Sequence, residues 1–327
     1  MLQFFRTNQL LNSLMLFPYA LVLNHGLFFG HTGTVPTEAD GILSPWLHTF
    51  WNDFPISSAM FYVFLLFMQA ILVNRISIVF RIGNEINLFP GLIYLIFVSF
   101  FPQFQQLTGL MMGQLFFLFA FTALLQTYKR YMDKGMLFNS AFWIGMASLF
   151  YAPFLMGILV IVIGAFILKP IKGKDWLLIL NGMVVPYFFI FTIWYAIGYE
   201  PMDILHEFKV YLQFDIPFLP IEVSSFIPLL ILTSVILIAL VNYQFYHSKK
   251  SLRSKKNIDI IYWTLFLFGI STLIFQGIEL QHIVLVAVPL SLLLQDSLVR
   301  IENPLTSEII HLFMLGALFF FQYQTFL

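Results

Sequence analysis

The sequence contains no cysteine, which excludes disulfide bonds and metal centres held by thiolates. It is also poor in charge, since only 10% of its 327 residues are Asp, Glu, Lys or Arg, whereas 60% are hydrophobic. A typical soluble domain carries about 25% charged residues. The composition therefore excludes a water-soluble fold and indicates an all-α, polytopic transmembrane helical bundle.

Basic residues are almost missing from one side of the predicted membrane. Of the sixteen Lys and Arg residues, fifteen lie in alternate gaps between apolar runs, and Lys209 is the exception. Gaps rich in Lys and Arg stay in the cytoplasm. The pattern predicts about eleven spans in a bacterial cytoplasmic (inner) membrane, with the amino terminus inside and the carboxyl terminus outside. The predicted spans cover residues 10–29, 55–73, 86–101, 107–125, 136–151, 154–168, 176–197, 226–243, 258–275, 280–294 and 305–327.

The segments between the spans are too short to fold as separate domains. The longer outer loops cover residues about 30–54 and 199–225, and the basic inner loop covers about 247–257. We therefore predict a single integral-membrane domain over residues 1–327. No basic face with interleaved aromatic residues lies outside that inner loop, so nucleic acid is not an expected partner. Membrane lipids and other membrane proteins are the candidate partners.

Both outer loops contain the spacing of an amphipathic helix. Apolar residues recur at i, i+3, i+4 and i+7 between Leu43 and Phe54, and the pattern returns over residues 204–212. Tryptophan and phenylalanine suit the headgroup region of a bilayer, so we predict two interfacial helices on the outer face. These helices either seal the outer surface of the bundle or frame an entrance for a lipid-attached substrate. The expected lipid-interface residues are Trp46, Phe50, Trp51 and Phe208.

Ionisable residues at the predicted outer end are the candidates for function. A charged side chain at mid-bilayer costs about 2.5–3.5 kcal/mol, so ionisable residues in membrane spans are rare unless they have a function. Glu279 and His282 are three residues apart and share one face of a helix. Carboxylates and imidazoles could act as a general base or bind a divalent metal, although solvated helix ends would explain the same residues. The candidates are Asp40 and Glu38 as catalytic residues, and Glu279, His282, His31 and Lys209 as phosphate or metal ligands.

Two stretches of the chain carry a recognisable pattern. The first runs from Lys129–Arg130–Tyr131 through Leu137–Phe138–Asn139 and Trp143–Ile144–Gly145 to Lys169–Pro170 and Lys174–Asp175–Trp176. The second is Gln281–His282 followed by Pro289–Leu290. The first stretch resembles the middle of the C-type (GT-C) glycosyltransferases, which use polyprenyl-phosphate-linked sugars, and the second is similar to the helix that closes many of those bundles. The Phe-rich spans and the 138–145 stretch also resemble an integral-membrane family of Bacteroidetes without an assigned function.

This resemblance implies a GT-C-like bundle that takes a polyprenyl-linked sugar at the outer leaflet. Asp40 or Glu38 would be the catalytic base, and Glu279 with His282 would orient the donor phosphate or a divalent metal. A second interpretation is a non-catalytic membrane subunit of an envelope assembly, secretion or motility complex, built on the same scaffold. A transporter is a third, although few buried charges are predicted that could couple its cycle to ions.

Overall fold

The computed structural model of the protein describes residues 2–29, 40–128, 135–202, 233–243 except 238 and 242, 250–274, 280–301 and 303–324. Within these ranges the chain is helical without β-strands, which confirms the all-α prediction. The α-helices are α1 (Leu2–Phe5), α2 (Leu10–Leu14), α3 (Leu16–Leu23), α4 (Gly26–Phe29), α5 (Ser44–Trp51), α6 (Pro55–Val79), α7 (Phe89–Val98), α8 (Gly109–Gln126), α9 (Gly135–Phe150), α10 (Gly157–Leu168), α11 (Gly173–Ile197), α12 (Leu252–Ile274), α13 (Ala287–Val299) and α14 (Pro304–Gln324). Short 3-10 helices cover Pro102–Phe104, Ala152–Met156 and Leu280–Val286.

Several of the described helices are apolar enough to cross a membrane. Five have both the length and the composition of a span: Pro55–Val79, Gly109–Gln126, Gly173–Ile197, Gln281–Val299 and Leu305–Tyr323. Shorter apolar helices occupy four more of the predicted spans: Leu10–Leu23, Phe89–Val98, Gly135–Phe150 and Ala152–Leu168. The described residues thus support a multi-pass membrane protein, and the total of eleven spans stays a prediction.

The short helix α9 lies inside the bundle, where it packs between α8 and α11. Its 16 residues reach only about 24 Å, less than the ~30 Å of a hydrocarbon core. Glycines bring its partner close, because a Cβ on Gly145 would lie 2.9 Å from Pro186 and one on Gly182 would lie 2.5 Å from the Phe138 carbonyl oxygen. Small residues of this kind allow close helix contacts in membranes.

Buried hydrogen bonds fix the packing of α6 against α7 and α8. The Tyr94 hydroxyl donates to Gln69 Oε1 at 2.6 Å, and Gln69 Nε2 donates to the Met111 carbonyl oxygen at 2.7 Å. Asn74 Oδ1 accepts from the Gly91 amide at 2.7 Å. Because buried polar groups need partners, these bonds specify which faces of the three helices meet.

Basic residues gather at one end of the bundle. Lys250 Nζ donates to the Ile82 carbonyl oxygen and lies 3.5 Å from Asp296 Oδ2. Burial lowers the pKa of Lys250, while Asp296 acts in the opposite direction. Lys256 Nζ donates to the Ile167 carbonyl oxygen, which joins the end of α10 to the same region. We call this region, where four of the predicted inner gaps meet, the basic end.

The predicted outer gaps meet at the opposite end, which we call the outer end. Gln105 and Gln322 both donate to the carbonyl oxygens of Leu23 and Ser99, so they tie α3, α7 and α14 together. Asp40 and Tyr151 form an isolated β-bridge at this end. The separation of basic gaps from the others, predicted from charge alone, agrees with these contacts.

The charge asymmetry predicts which end faces the cytoplasm. Reporter fusions after Lys174 and Lys256 should report the inside, and fusions after Asp53 and the terminal Leu327 should report the outside, because basic gaps resist translocation. Alkaline phosphatase and green fluorescent protein fusions at each site would measure this directly. A carboxyl terminus found in the cytoplasm would mean that one of the eleven predicted spans does not cross, and the short pair around Pro153 would be examined first.

Candidate functional site

A segment of the first outer loop docks onto the end of α9. The Gly41 amide donates to the Phe150 carbonyl oxygen at 2.8 Å, and the Leu43 amide donates to the Leu149 carbonyl oxygen at 2.9 Å. The Ser44 hydroxyl also donates to Phe150 at 2.6 Å. The last carbonyl groups of a helix lack partners within the helix, and this segment supplies them. The pairing sets Asp40 opposite the residue that follows α9.

Asp40 is buried and hydrogen-bonded to His48 of α5. The distance between His48 Nε2 and Asp40 Oδ2 is 2.9 Å, and the two residues are 7% and 5% exposed. The α5 helix begins with Pro45 in its first turn, and His48 lies one turn from Ser44 on the same buried face. The helix therefore holds an imidazole against the carboxylate, away from solvent.

The prediction of a helix over the first outer loop is confirmed for α5, and the face that it packs against the protein carries polar residues. Ser44 and His48, which the spacing placed off the apolar stripe, are buried because they bond to the end of α9 and to Asp40. Trp46 is 77% exposed and Phe50 is 59% exposed. Trp51 stacks on Phe61 of α6, with 4.9 Å between the ring centroids.

Tyr151 and His282 form a second buried pair at the outer end. The Tyr151 hydroxyl is hydrogen-bonded to His282 Nδ1, and both residues are buried. His282 belongs to the 3-10 helix Leu280–Val286. Its Nε2 is buried and has no hydrogen-bond partner among the described residues. In the tautomer where Tyr151 donates to Nδ1, the neutral ring carries its proton on Nε2 and can donate it.

We call the two pairs together the Asp40 cluster: Asp40, His48, Tyr151 and His282. The β-bridge between Asp40 and Tyr151 connects the pairs. Gly109, at the start of α8, allows this close approach, because a Cβ there would overlap Ser44 Oγ and lie 3.0 Å from Asp40 Oδ1. A carboxylate and two imidazoles in a water-poor environment can accept and donate protons.

An apolar cavity of about 580 Å³ lies between α7, α13 and α14. It begins near the outer end at Phe104 and Ile283 and extends toward the basic end at Ser297 and Leu298. Ile283 follows His282 directly, so the 3-10 helix that carries the imidazole also forms one wall of the cavity. The described residues that line it are Ile93, Ile96, Phe97, Phe100, Phe101, Phe104, Val235, Ile283, Leu294, Ser297, Leu298, Ile310, Phe313, Met314, Ala317 and Phe321.

Of the predicted site residues, the structure brings Asp40 and His282 into the same cluster. Three predicted interface residues, Trp46, Phe50 and Trp51, lie on α5 or at its end. The described residues contain no group of three or more potential metal ligands. The second outer helix, predicted over 204–212, falls outside the described residues. The other predicted site residues, Glu38, His31, Lys209, Phe208 and Glu279, also lie outside them.

Sequence reasoning did not pair His48 with Asp40, nor Tyr151 with His282. His48 follows Asp40 by eight residues in the outer loop, and this spacing does not by itself predict that the two side chains bond. Tyr151 directly follows a short apolar helix, where an aromatic residue gives no separate indication of function. The docking of 40–44 onto α9 creates both pairings, and no local spacing predicts it.

No protein-family model, curated protein or solved structure matches the chain. The resemblance to GT-C enzymes and to a Bacteroidetes membrane family therefore supports a proposal only. The case for function rests on the Asp40 cluster and on the apolar cavity beside it.

Proposed function

We propose that this chain is a GT-C-like membrane glycosyltransferase that takes a sugar from a polyprenyl-phosphate carrier at the outer leaflet. The observation that carries the proposal is a buried carboxylate–imidazole cluster whose His282 directly precedes Ile283 in the lining of an apolar cavity. A lipid-linked substrate has both a polar reacting group and a long hydrocarbon chain. The cluster and the cavity would receive these two parts, and the 3-10 helix Leu280–Val286 borders both.

Asp40 would act as the general base. In the proposed step an acceptor hydroxyl oxygen attacks the anomeric carbon of the sugar, and its proton passes to the Asp40 carboxylate. The bond from the anomeric carbon to the phosphate oxygen breaks, and its electron pair leaves with the polyprenyl phosphate. His48 holds the carboxylate at 2.9 Å and fixes its orientation. Positioned bases of this kind contribute about 10²–10⁴ to a rate.

The donor phosphate needs hydrogen-bond donors where negative charge develops. His282 Nε2 is a suitable donor, since it is buried and Tyr151 occupies the other ring nitrogen. In the proposal Lys209 would supply further positive charge, or Glu279 with His282 would hold a divalent metal that does so. The described part of the outer end has no Lys or Arg, which makes such a contribution necessary.

The hydrocarbon chain of the donor would occupy the apolar cavity. Ligand pockets usually measure about 300–1,000 Å³, and the 580 Å³ cavity lies within this range. All of its described lining residues except Ser297 are apolar. Such a lining gives a polar ligand no partner, whereas each buried CH₂ group of a lipid chain gains about 0.8 kcal/mol.

Filling the cavity should weaken the binding of long-chain donors to the enzyme. Ala317 lines the cavity from α14, so Ala317→Trp would occupy the space of several CH₂ groups. We expect the KM for a long polyprenyl-phosphate-linked sugar to rise about tenfold, because two lost CH₂ contacts are worth roughly 1.6 kcal/mol. A ten-carbon donor should be much less affected. The assay follows radiolabelled sugar passing from each donor to a membrane extract in nanodiscs that contain the protein.

The matched control is Phe320→Trp, which places an equal side chain on the exposed face of the same helix. This variant should leave the KM for both donors unchanged. If wild-type protein transfers no label above empty nanodiscs, the glycosyltransferase proposal is wrong. If Ala317→Trp affects both donors equally, the cavity is not the site of the lipid chain.

A non-catalytic membrane subunit is the second candidate function, and one observation favours it. Trp46 and Phe50 are exposed on the same face of α5 at the outer end, where a partner protein could cover them. Lipid headgroups would cover the same face in the enzyme interpretation. Substitutions of these two residues therefore distinguish the two candidate functions.

A further inference from the structure

A second cavity, of about 260 Å³, lies at the basic end and is separate from the Asp40 cluster. It is formed by α6, by the chain around α2 and by the residue before α7. Its described lining combines polar side chains with aliphatic ones. The lining residues are Asn8, Ser13, Ile71, Asn74, Arg75, Ile78, Val79 and Leu88.

Asn74 gives this cavity a buried hydrogen-bond donor. The residue is only 4% exposed, and its Oδ1 accepts from the Gly91 amide at 2.7 Å. That bond fixes which way the side-chain amide points. Nδ2 has no hydrogen-bond partner among the described residues. Gly91 leaves just enough room for it, since a Cβ there would lie 2.5 Å from Nδ2. Buried donors almost always have an acceptor, so a group that enters the cavity, either a ligand or a water molecule, is needed to satisfy this one.

Arg75 adds positive charge to the same cavity. Its side chain is exposed and forms no ion pair with the described residues. No Asp or Glu is among the described residues that line the cavity. A guanidinium with adjacent amide donors and no carboxylate matches the oxygen atoms of a phosphate group.

We propose that this cavity binds the phosphate of an anionic phospholipid in the leaflet at the basic end. Arg75 and Asn74 Nδ2 donate to the phosphate oxygens, and Asn8 lies at the exposed rim. The aliphatic side chains of Ile71, Ile78 and Val79 contact the glycerol and the first chain carbons, which favours a lipid over free phosphate. This inference does not depend on the proposed transferase activity.

Native mass spectrometry of the purified full-length protein, titrated with phosphatidylglycerol or phosphatidylcholine, tests the proposal. We expect phosphatidylglycerol to bind tighter than phosphatidylcholine. Arg75→Gln should weaken phosphatidylglycerol binding by roughly tenfold, the effect of losing a charge-assisted contact. Asn74→Asp, which keeps the acceptor for the Gly91 amide but replaces the donor by a carboxylate, should weaken it at least as much. Lys174→Gln, which removes an exposed charge elsewhere at the basic end, should have little effect.

Equal loss of binding in Arg75→Gln and Lys174→Gln would overturn the proposal, because general surface charge would then explain the affinity. Equal binding of the two lipids to the wild-type protein would also overturn it. Inorganic phosphate, added alone as a competitor, should displace the lipid only at millimolar concentration. Displacement at micromolar concentration would contradict the assignment to a lipid. If Asn74→Asp does not fold, Arg75→Gln at the exposed rim still decides the outcome.

Discussion

Asp40→Asn should reduce sugar transfer by about 10²–10⁴-fold while the protein is produced at its normal level. Asparagine has the shape of aspartate and can still accept from His48 Nε2, which lies 2.9 Å from Oδ2. It cannot take a proton from an acceptor hydroxyl at neutral pH. The substitution therefore removes the base and keeps the packing. The measurement is the initial rate of label transfer from the polyprenyl-phosphate-linked donor in nanodiscs, with protein quantified by gel.

The control is Asp53→Asn, an acid at an exposed position after α5, which should transfer sugar at the wild-type rate. His282→Ala should lower the rate as well, since it removes the proposed hydrogen-bond donor to the phosphate.

The non-catalytic subunit interpretation expects the opposite pattern. In that case Asp40→Asn preserves the cellular function, and Trp46→Ala with Phe50→Ala releases a partner protein from the complex. An Asp40→Asn, Glu38→Gln double variant that transfers sugar at full rate would refute the assignment of the base.

The membrane character of the fold could be predicted because hydrocarbon imposes a simple rule. Every backbone group in the bilayer must bond within its own segment, so long apolar runs become helices. The predicted span over residues 176–197 corresponds to Gly173–Ile197, and the one over 107–125 corresponds to Gly109–Gln126. The grouping of the basic gaps at one end could also be predicted from local sequence, because Lys and Arg act on each loop separately.

The irregularities of the spans were less predictable. The first predicted span, over residues 10–29, is divided into α2, α3 and α4. Hydropathy averages over a window, and these breaks depend on contacts with other helices. One example is Asn24, whose side chain bonds to Ser99 Oγ at 2.8 Å. Another is the 3-10 helix Leu280–Val286, which occupies the start of a span predicted as continuous α-helix.

Some residues of the candidate site could be predicted from the sequence, but the way in which they pair could not. Ionisable residues near the membrane are rare, so Asp40 and His282 were among the candidates, and both are buried at the same end of the bundle. Their partners His48 and Tyr151 come from elements whose positions depend on long-range docking. The apolar stripe of α5 did not indicate the hydrogen bonds that Ser44 and His48 form with the end of α9 and with Asp40.

Gly109→Ala should disrupt both stability and activity, because the new methyl group has no space. A Cβ at Gly109 would overlap Ser44 Oγ and the Phe150 carbonyl oxygen, and would lie 3.0 Å from Asp40 Oδ1. The carbonyl belongs to the end of α9 and cannot rotate away, so the segment 40–44 must move. Overpacking in a dense interior costs about 1–3 kcal/mol. We expect the upper part of this range, with a clearly lower thermal midpoint in detergent.

The same shift would separate Asp40 from Tyr151, so transfer should fall by a larger factor than the loss of folded protein explains. Gly316→Ala is the matched control, since a Cβ at that position in α14 meets no atom within 4 Å. Alanine is the better helix former by roughly 1 kcal/mol, so this variant should be at least as stable as the wild type. Activity per folded molecule, measured below the midpoint of each variant, separates the two effects. If Gly109→Ala were as stable and as active as Gly316→Ala, the close docking of residues 40–44 onto α9 would be wrong, and with it the geometry of the Asp40 cluster.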